Sequence, residues 1–207
     1  MKKRKNKLLL IIGFSLISFS IAMIIAKFYA DYKVSCSERQ NVDTFFEEKV
    51  DAPSNESNTL KDNYKENIGR FDYIGVLEIP KINLKRGLVD KNNLYNNVNK
   101  NIEIIKEADM PDVINGNFIL AAHSGTSAIA YFNKLSLLEK SDLIYVYYND
   151  VKHTYIVDKL YEINKKGSMS IQRTGNNSTI TLITCKTNEK KQIVVIGELL
   201  ERSESND

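Results

Sequence analysis

STITLITCKTNEKKQIVVIGELL, residues 178–200, holds the segments whose reading decides the fold. STITLITC (Ser178–Cys185) and QIVVIGELL (Gln192–Leu200) are short, β-branched and apolar, with a charged polar stretch between them. Runs of that length and composition read as strands rather than helices. Ile180, Leu182 and Thr184 alternate with Thr181, Ile183 and Cys185, so both faces are partly apolar and alternation alone does not orient the strand. Cys185 closes the first run. A cysteine there is either inert core filler or a nucleophile presented at a rim.

Working outward, most of the second half of the chain has the same character. YIGVLEIP (Tyr73–Pro80) and INLKRGLV (Ile82–Val89) are β-rich and split by Pro-Lys. Asn115-Gly116 signals a turn before the strand NFILAAH. DLIYVYY (Asp142–Tyr148) and KHTYIVDKLYEI (Lys152–Ile163) flank Asn149-Asp150, which suits a tight hairpin. Strands at such short spacing favour a closed barrel or sandwich over a βαβ fold. One helix is expected over Ala128–Lys140, where Ile129, Phe132, Leu135 and Leu138 share a face, and a weaker one over Asn101–Lys106.

The N-terminal third differs. Lys2, Lys3, Arg4, Lys5 and Lys7 precede Leu8–Ala26, which carries no charge. As a helix that run is about 28 Å long, close to the hydrocarbon thickness of a bilayer. It exceeds an ordinary signal-peptide core, so an uncleaved anchor is the better reading. The cationic flank places residues 1–7 in the cytoplasm and the remainder of the chain outside. Residues 27–70 are polar, with alternating charge, and read as an irregular extracellular spacer with at most a short helix near Thr44–Lys49. The folded domain is expected to begin near Phe71 and run to Glu201, with a polar tail over 202–207.

Charge and composition exclude several classes. The chain has 29 Lys+Arg against 26 Asp+Glu, and setting aside the five leading cations leaves 24 against 26. A basic nucleic-acid-binding face is therefore not expected. There is no His-x-x-x-His, no Cys-x-x-Cys and no glycine-rich phosphate loop, so neither a metal nor a cofactor is implied. The two cysteines could bridge in an oxidising exterior, but Cys36 lies in a polar juxtamembrane stretch and Cys185 ends a strand. A disulfide is the weaker reading. Lys33 stands where a lipoprotein cleavage box wants an aliphatic residue, which argues against lipidation at Cys36.

Histidine occurs only at His123 and His153. His153 follows the Asn-Asp turn between Lys152 and Thr154 and reads as a solvated strand residue. His123 ends the strand FILAA just before Ser-Gly. Alone it would read as a strand-end histidine bonded to a carbonyl. Together with Cys185 it suggests more, because both close apolar strands that adjacent pairing could bring together. A free thiol is only a few per cent thiolate at neutral pH, and a neighbouring imidazolium raises that fraction and can then protonate a leaving amine.

The segments IGVLEIPKINLKRGLV, FILAAHSG, FNKLSLLEKSDLIYVYY and TLITC, in this order, resemble a sortase. The resemblance covers Tyr73 to Leu200 and implies a closed eight-stranded β-barrel on a membrane anchor at a Gram-positive cell surface. It implies that Cys185 is the nucleophile and His123 the catalytic histidine of a cysteine transpeptidase. Such an enzyme would cleave a Thr-Gly-like bond in the sorting signal of secreted proteins. It would then join them to a cell-wall peptide amine through a thioacyl intermediate. The family's arginine opens the last strand, where this chain has Gln192 in Gln-Ile-Val-Val-Ile-Gly. Glutamine keeps an N–H donor but loses the charge and the two-pronged geometry. Lys190 and Lys191 are the alternative cations, and Arg173 a poorer one. The short loop before Ser178, and the lack of an Asp-Pro-aromatic lid or second span, do not match classes B or C. Hydrolysis in place of transpeptidation, and a tethered binding domain with a decayed site, are the rival readings.

Overall fold

The computed structural model describes residues 2–50, 72–165, 177–186 and 189–204. One helix, α1 (Lys2–Val50), is followed by strands β1 (Tyr73–Ile79), β2 (Leu84–Val89), β3 (Glu103–Ile104), β4 (Asn117–Ala121), β5 (Leu143–Tyr148), β6 (Val151–Asn164), β7 (Thr179–Cys185) and β8 (Lys191–Glu204). They form one sheet in the order β2-β1-β5-β6-β8-β7-β4-β3. All pairings are antiparallel except β4–β7, which is parallel.

Period-two alternation builds the interior. Each long strand gives an inward pair: Leu77/Ile79, Ile144/Val146, Tyr155/Val157, Ile180/Leu182 and Ile193/Val195 all lie in one buried cluster. The sheet curls so that its edges β2 and β3 approach each other without a backbone ladder, giving a nearly closed barrel. Side chains close that seam: Arg86 Nε donates to Asn101 Oδ1 at 2.9 Å, and Asn101 Nδ2 donates to the Gly87 carbonyl at 3.0 Å. The β5–β6 hairpin turns at Asn149 (φ 49°) and Asp150 (φ 61°), both left-handed as a two-residue primed turn requires.

Two expected helices are not α-helical. Over Ala128–Lys140 the chain makes i→i−3 bonds, Ala130 N to Ser127 O, Asn133 N to Ala130 O and Leu138 N to Leu135 O among them, with a 3₁₀ turn at Leu135–Leu137. The apolar positions Ile129, Phe132, Leu135 and Leu138 recur every third residue, which is the 3₁₀ period rather than 3.6. Within Asn101–Lys106 lies the short strand β3 instead, with Ile102 and Ile104 buried and Glu103 between them only partly so.

The chain divides into two units, up to Arg39 and from Gln40 onward. In the first, Ile12–Ala30 is long and apolar enough to cross a membrane, and its side chains are exposed. The irregular spacer expected over 27–70 differs from what is found up to Val50, where α1 continues; residues 51–71 lie outside the described ones. In the second unit the end of α1 packs on the barrel's outer face. Val42 is buried, and the Phe46 ring stands edge-on to Tyr147 at 5.0 Å with Lys85 Nζ 4.7 Å from its own centroid. Val42, Phe45 and Phe46 sit at i, i+3 and i+4, one face of a helix. Val76, which alternates outward from Leu77, is fully buried between its cross-strand neighbours Gly87 and Tyr147. At the other terminus, β8 runs on through Arg202 to Glu204.

Candidate active site

The parallel β4–β7 pairing sets the site. Its register runs Asn117↔Thr179 to Ala121↔Ile183, so His123 and Cys185 each follow the last pair by two residues. Both therefore leave the sheet at the same level on neighbouring strands. The ends are stitched together: Ala122 N donates to Ile183 O at 3.2 Å, and Thr184 Oγ1 donates to Ala122 O at 2.8 Å. The Ser124 hydroxyl donates to the Cys185 carbonyl. Gly125, at φ +116°, then turns the chain away in a conformation that side-chain-bearing residues rarely adopt.

His123 is half-buried and held at ring and backbone. Its carbonyl accepts from Phe132 N at 3.0 Å, and its Nε2 lies 3.0 Å from Asn99 Oδ1. With the amide oxygen assigned toward the ring, Nε2 carries the proton and Nδ1 is the acceptor of the neutral form. Cys185 is a half-buried free thiol.

Gln192 is the antiparallel partner of Cys185, so the two side chains project from the same face with Cβ atoms about 5 Å apart. Lys191 projects to the other face. There it pairs with Glu162 at 3.1 Å and Glu189 at 3.5 Å, beside Lys186, which meets the same carboxylates at 2.7 and 2.9 Å. Hydrogen bonding to Glu162 raises both lysine pKa values and lowers that of Glu162. Lys190 precedes β8 and is exposed, with its carbonyl accepting from Lys165 N at 2.9 Å. Arg173 lies outside the described residues.

His153 is not the solvated residue its neighbours suggest. It is 1 % exposed, faces inward with Tyr155 and Val157, and its Nδ1 has no hydrogen-bond partner among the described residues. Burial pushes its pKa below the ordinary value, with the nearby Arg202 charge acting in the same sense. It pairs with Arg202, whereas Gln192 pairs with Ile163. That ten-residue offset along β6 puts His153 about 33 Å from the thiol end. No group of His, Cys, Asp and Glu among the described residues could hold a metal ion.

The loop partner Asn99 was hidden in the asparagine-rich run Asn92–Asn101. That density is legible as turns. Asp90, Asn93 and Asn97 each accept from the backbone N–H two residues on. Which asparagine reaches the imidazole is a matter of tertiary placement.

The half-buried thiol that ends β7 and the histidine beyond β4 thus leave neighbouring parallel strands of a nearly closed barrel at one level. Residues 77–200 match the family model of the sortase domain. The chain is 25% identical to sortase A of Bacillus anthracis over 206 residues, covering 95% of this chain and 96% of that one. Among solved structures, sortase A of Listeria monocytogenes superposes with a TM-score of 0.54 at 23% identity, covering 65% of this chain and 92% of the other. Sortase C1 of Streptococcus agalactiae gives 0.57 at 22%, covering 66% and 72%. A sortase D5 transpeptidase of Clostridium perfringens gives 0.54 at 22%, covering 63% and 80%. These structural likenesses establish the fold, and they spread across classes A, C and D without favouring one. The chain belongs to the sortase family of membrane-associated cysteine transpeptidases. The family acts on proteins bearing sorting signals and on cell-wall amine acceptors.

Proposed function

We propose that Cys185 is the nucleophile of this sortase, His123 its acid and base, and Gln192 its oxyanion donor. The observation that carries the reading is the shared level of His123 and Cys185 beyond the β4–β7 register. The thiolate, paired with the His123 imidazolium, attacks the scissile carbonyl of a Thr-Gly-like bond in a secreted protein's sorting signal. The oxyanion that forms needs donors fixed beforehand. The Gln192 amide, on the same face as the thiol, and a backbone N–H supply them. Collapse expels the amine, which takes its proton from His123, and leaves a thioester on Cys185. A cell-wall peptide amine then attacks the thioester, gives its proton back to His123, and departs as the new amide.

The basic residues that open α1 favour a cytoplasmic N-terminus, and the barrel then faces the wall. A single span over the apolar segment and a separate catalytic unit from Gln40 onward fit that topology. The test is to incubate the full-length protein in detergent with a panel of sorting-signal peptides and an amine acceptor. Ligated product from the wild type and none from Cys185→Ala or His123→Ala is the expected result. Equal activity in Cys185→Ala and wild type would remove the assignment.

A further inference from the structure

Arg86 is a buried charge that the chemistry above does not use. It sits on the inward face of β2, opposite Leu77, and is only 6 % exposed. A guanidinium is costly to bury unless its donors and faces are engaged. Here Nε donates to Asn101 Oδ1 at 2.9 Å, and the guanidinium carbon lies 4.2 Å from the Tyr131 ring centroid. Those two partners belong to the two segments that hold His123. Asn101 is two residues beyond Asn99, which meets the imidazole, and its N–H is bonded to Asn97 O at 2.8 Å across the same turn. Tyr131 immediately precedes Phe132, whose N–H holds the His123 carbonyl.

We infer that Arg86 is a positioning residue for His123, joining the Asn97–Asn101 turn to the Tyr131–Phe132 segment so that the imidazole keeps its place against Asn99 at the end of β4. The inference rests on the reading of His123 as the acid and base. Arginine suits the task because one planar group can donate at its edge and stack on its face together. A lysine ammonium, as a point charge, does not reproduce both contacts. Asn101 completes the link by donating to the Gly87 carbonyl, so the turn is tied to β2 at two adjacent residues.

The test uses the full chain in detergent. Arg86→Met keeps much of the stem while removing the fork. It should lower kcat about tenfold to a hundredfold with KM changed less than about twofold, as expected for a misplaced group. Tyr131→Leu should act in the same direction, and serves alone if Arg86→Met does not fold. In an Asn99→Ala background, Arg86→Met should cost less than about threefold, because the two act on one imidazole. The ring resonances of His123, identified against His123→Ala in a chain with only two histidines, should shift in Arg86→Met without substrate present. Equal cost in both backgrounds overturns the inference. So does unchanged kcat and unmoved resonances in either variant alongside a lower melting temperature, which is the signature of a seam staple only. Resonances that move while His123→Ala retains full turnover would preserve the positioning role and remove the catalytic reading.

Discussion

Cys185 and Gln192 are direct antiparallel partners on β7 and β8, so the thiol and the carboxamide project from one face of the sheet. Lys191, one residue earlier, points to the opposite face and is shared between Glu162 and Glu189. The cation adjacent in sequence is therefore turned away from the site, and the neutral donor faces it. Gln192→Ala is expected to lower transpeptidation about tenfold to a hundredfold, less than the loss possible for a dedicated donor. A charged donor makes a stronger hydrogen bond, so Gln192→Arg should hold or raise the rate if the groove admits it. Lys191→Ala should leave the rate within about twofold, since an exposed ion pair contributes little. A silent Gln192→Ala with a damaging Lys190→Ala would transfer the role to Lys190.

Thr184 joins the two catalytic strands from the buried side. Its hydroxyl donates to Ala122 O, while the next residue, Cys185, projects to the opposite face beside Gln192. Thr184→Val keeps the shape and removes the donor, leaving a buried carbonyl short of a partner. The expected loss is about 1–3 kcal/mol of stability. Because that bond fixes how the ends of β4 and β7 meet, turnover measured below the melting transition should also fall. A drop in stability with unchanged turnover would confine Thr184 to a packing role.

The strands, and the position of Cys185 and His123 at strand ends, were legible because both depend on local pattern. Inward pairs such as Ile180/Leu182 follow from period two, and Cys185 and His123 each close an apolar run. The helix expected over Ala128–Lys140 failed because a three-residue spacing was taken for an amphipathic face. Its i→i−3 bonds belong to consecutive turns that wrap the barrel. Arg86 and His153 were unreadable for a different reason. A polar residue in a strand advertises solvent exposure, yet Arg86 keeps step with Leu84 and Leu88, and His153 with Tyr155 and Val157, so alternation turns both inward. The β4–β7 parallel register, which brings His123 level with Cys185, also joins residues far apart in sequence.

His153 makes the barrel acid-sensitive. Its pKa is lowered in the folded state, by burial first, so the unfolded chain takes up the proton more readily. Stability is then fully present above the ordinary imidazole value of 6.5 and falls as pH drops below it. The lowered carboxylates Asp158, Glu162 and Glu189 titrate further down, so the interval between about pH 5 and 7 isolates the histidine. The melting temperature of the wild type should decline across that interval. In His153→Leu the decline should flatten. An undiminished decline in His153→Leu would assign the acid sensitivity elsewhere.

The end of α1 belongs to the catalytic unit rather than to a free tether. Phe46 packs on Tyr147, its ring edge-on to the tyrosine. Tyr147 is anchored in turn by its hydroxyl, which donates to Glu78 at 3.2 Å, and burial together with that carboxylate raises its pKa to about 12. A chain beginning at Gln40 retains these contacts, whereas one beginning at Asn67 loses the Phe46 ring from one side of Tyr147. The shorter form should still fold, because the inward pairs are untouched, but with a lower melting temperature. Phe46→Ala in the longer form should recover most of that difference. Its expected cost is about 1–2 kcal/mol, below the 3–5 typical of a fully buried ring. At this domain size each kcal/mol corresponds to about 2–4 °C. Thermal unfolding of the three proteins followed by circular dichroism makes the comparison. Equal melting temperatures for the forms starting at Gln40 and Asn67 would show that the helix end rests on the barrel without stabilising it.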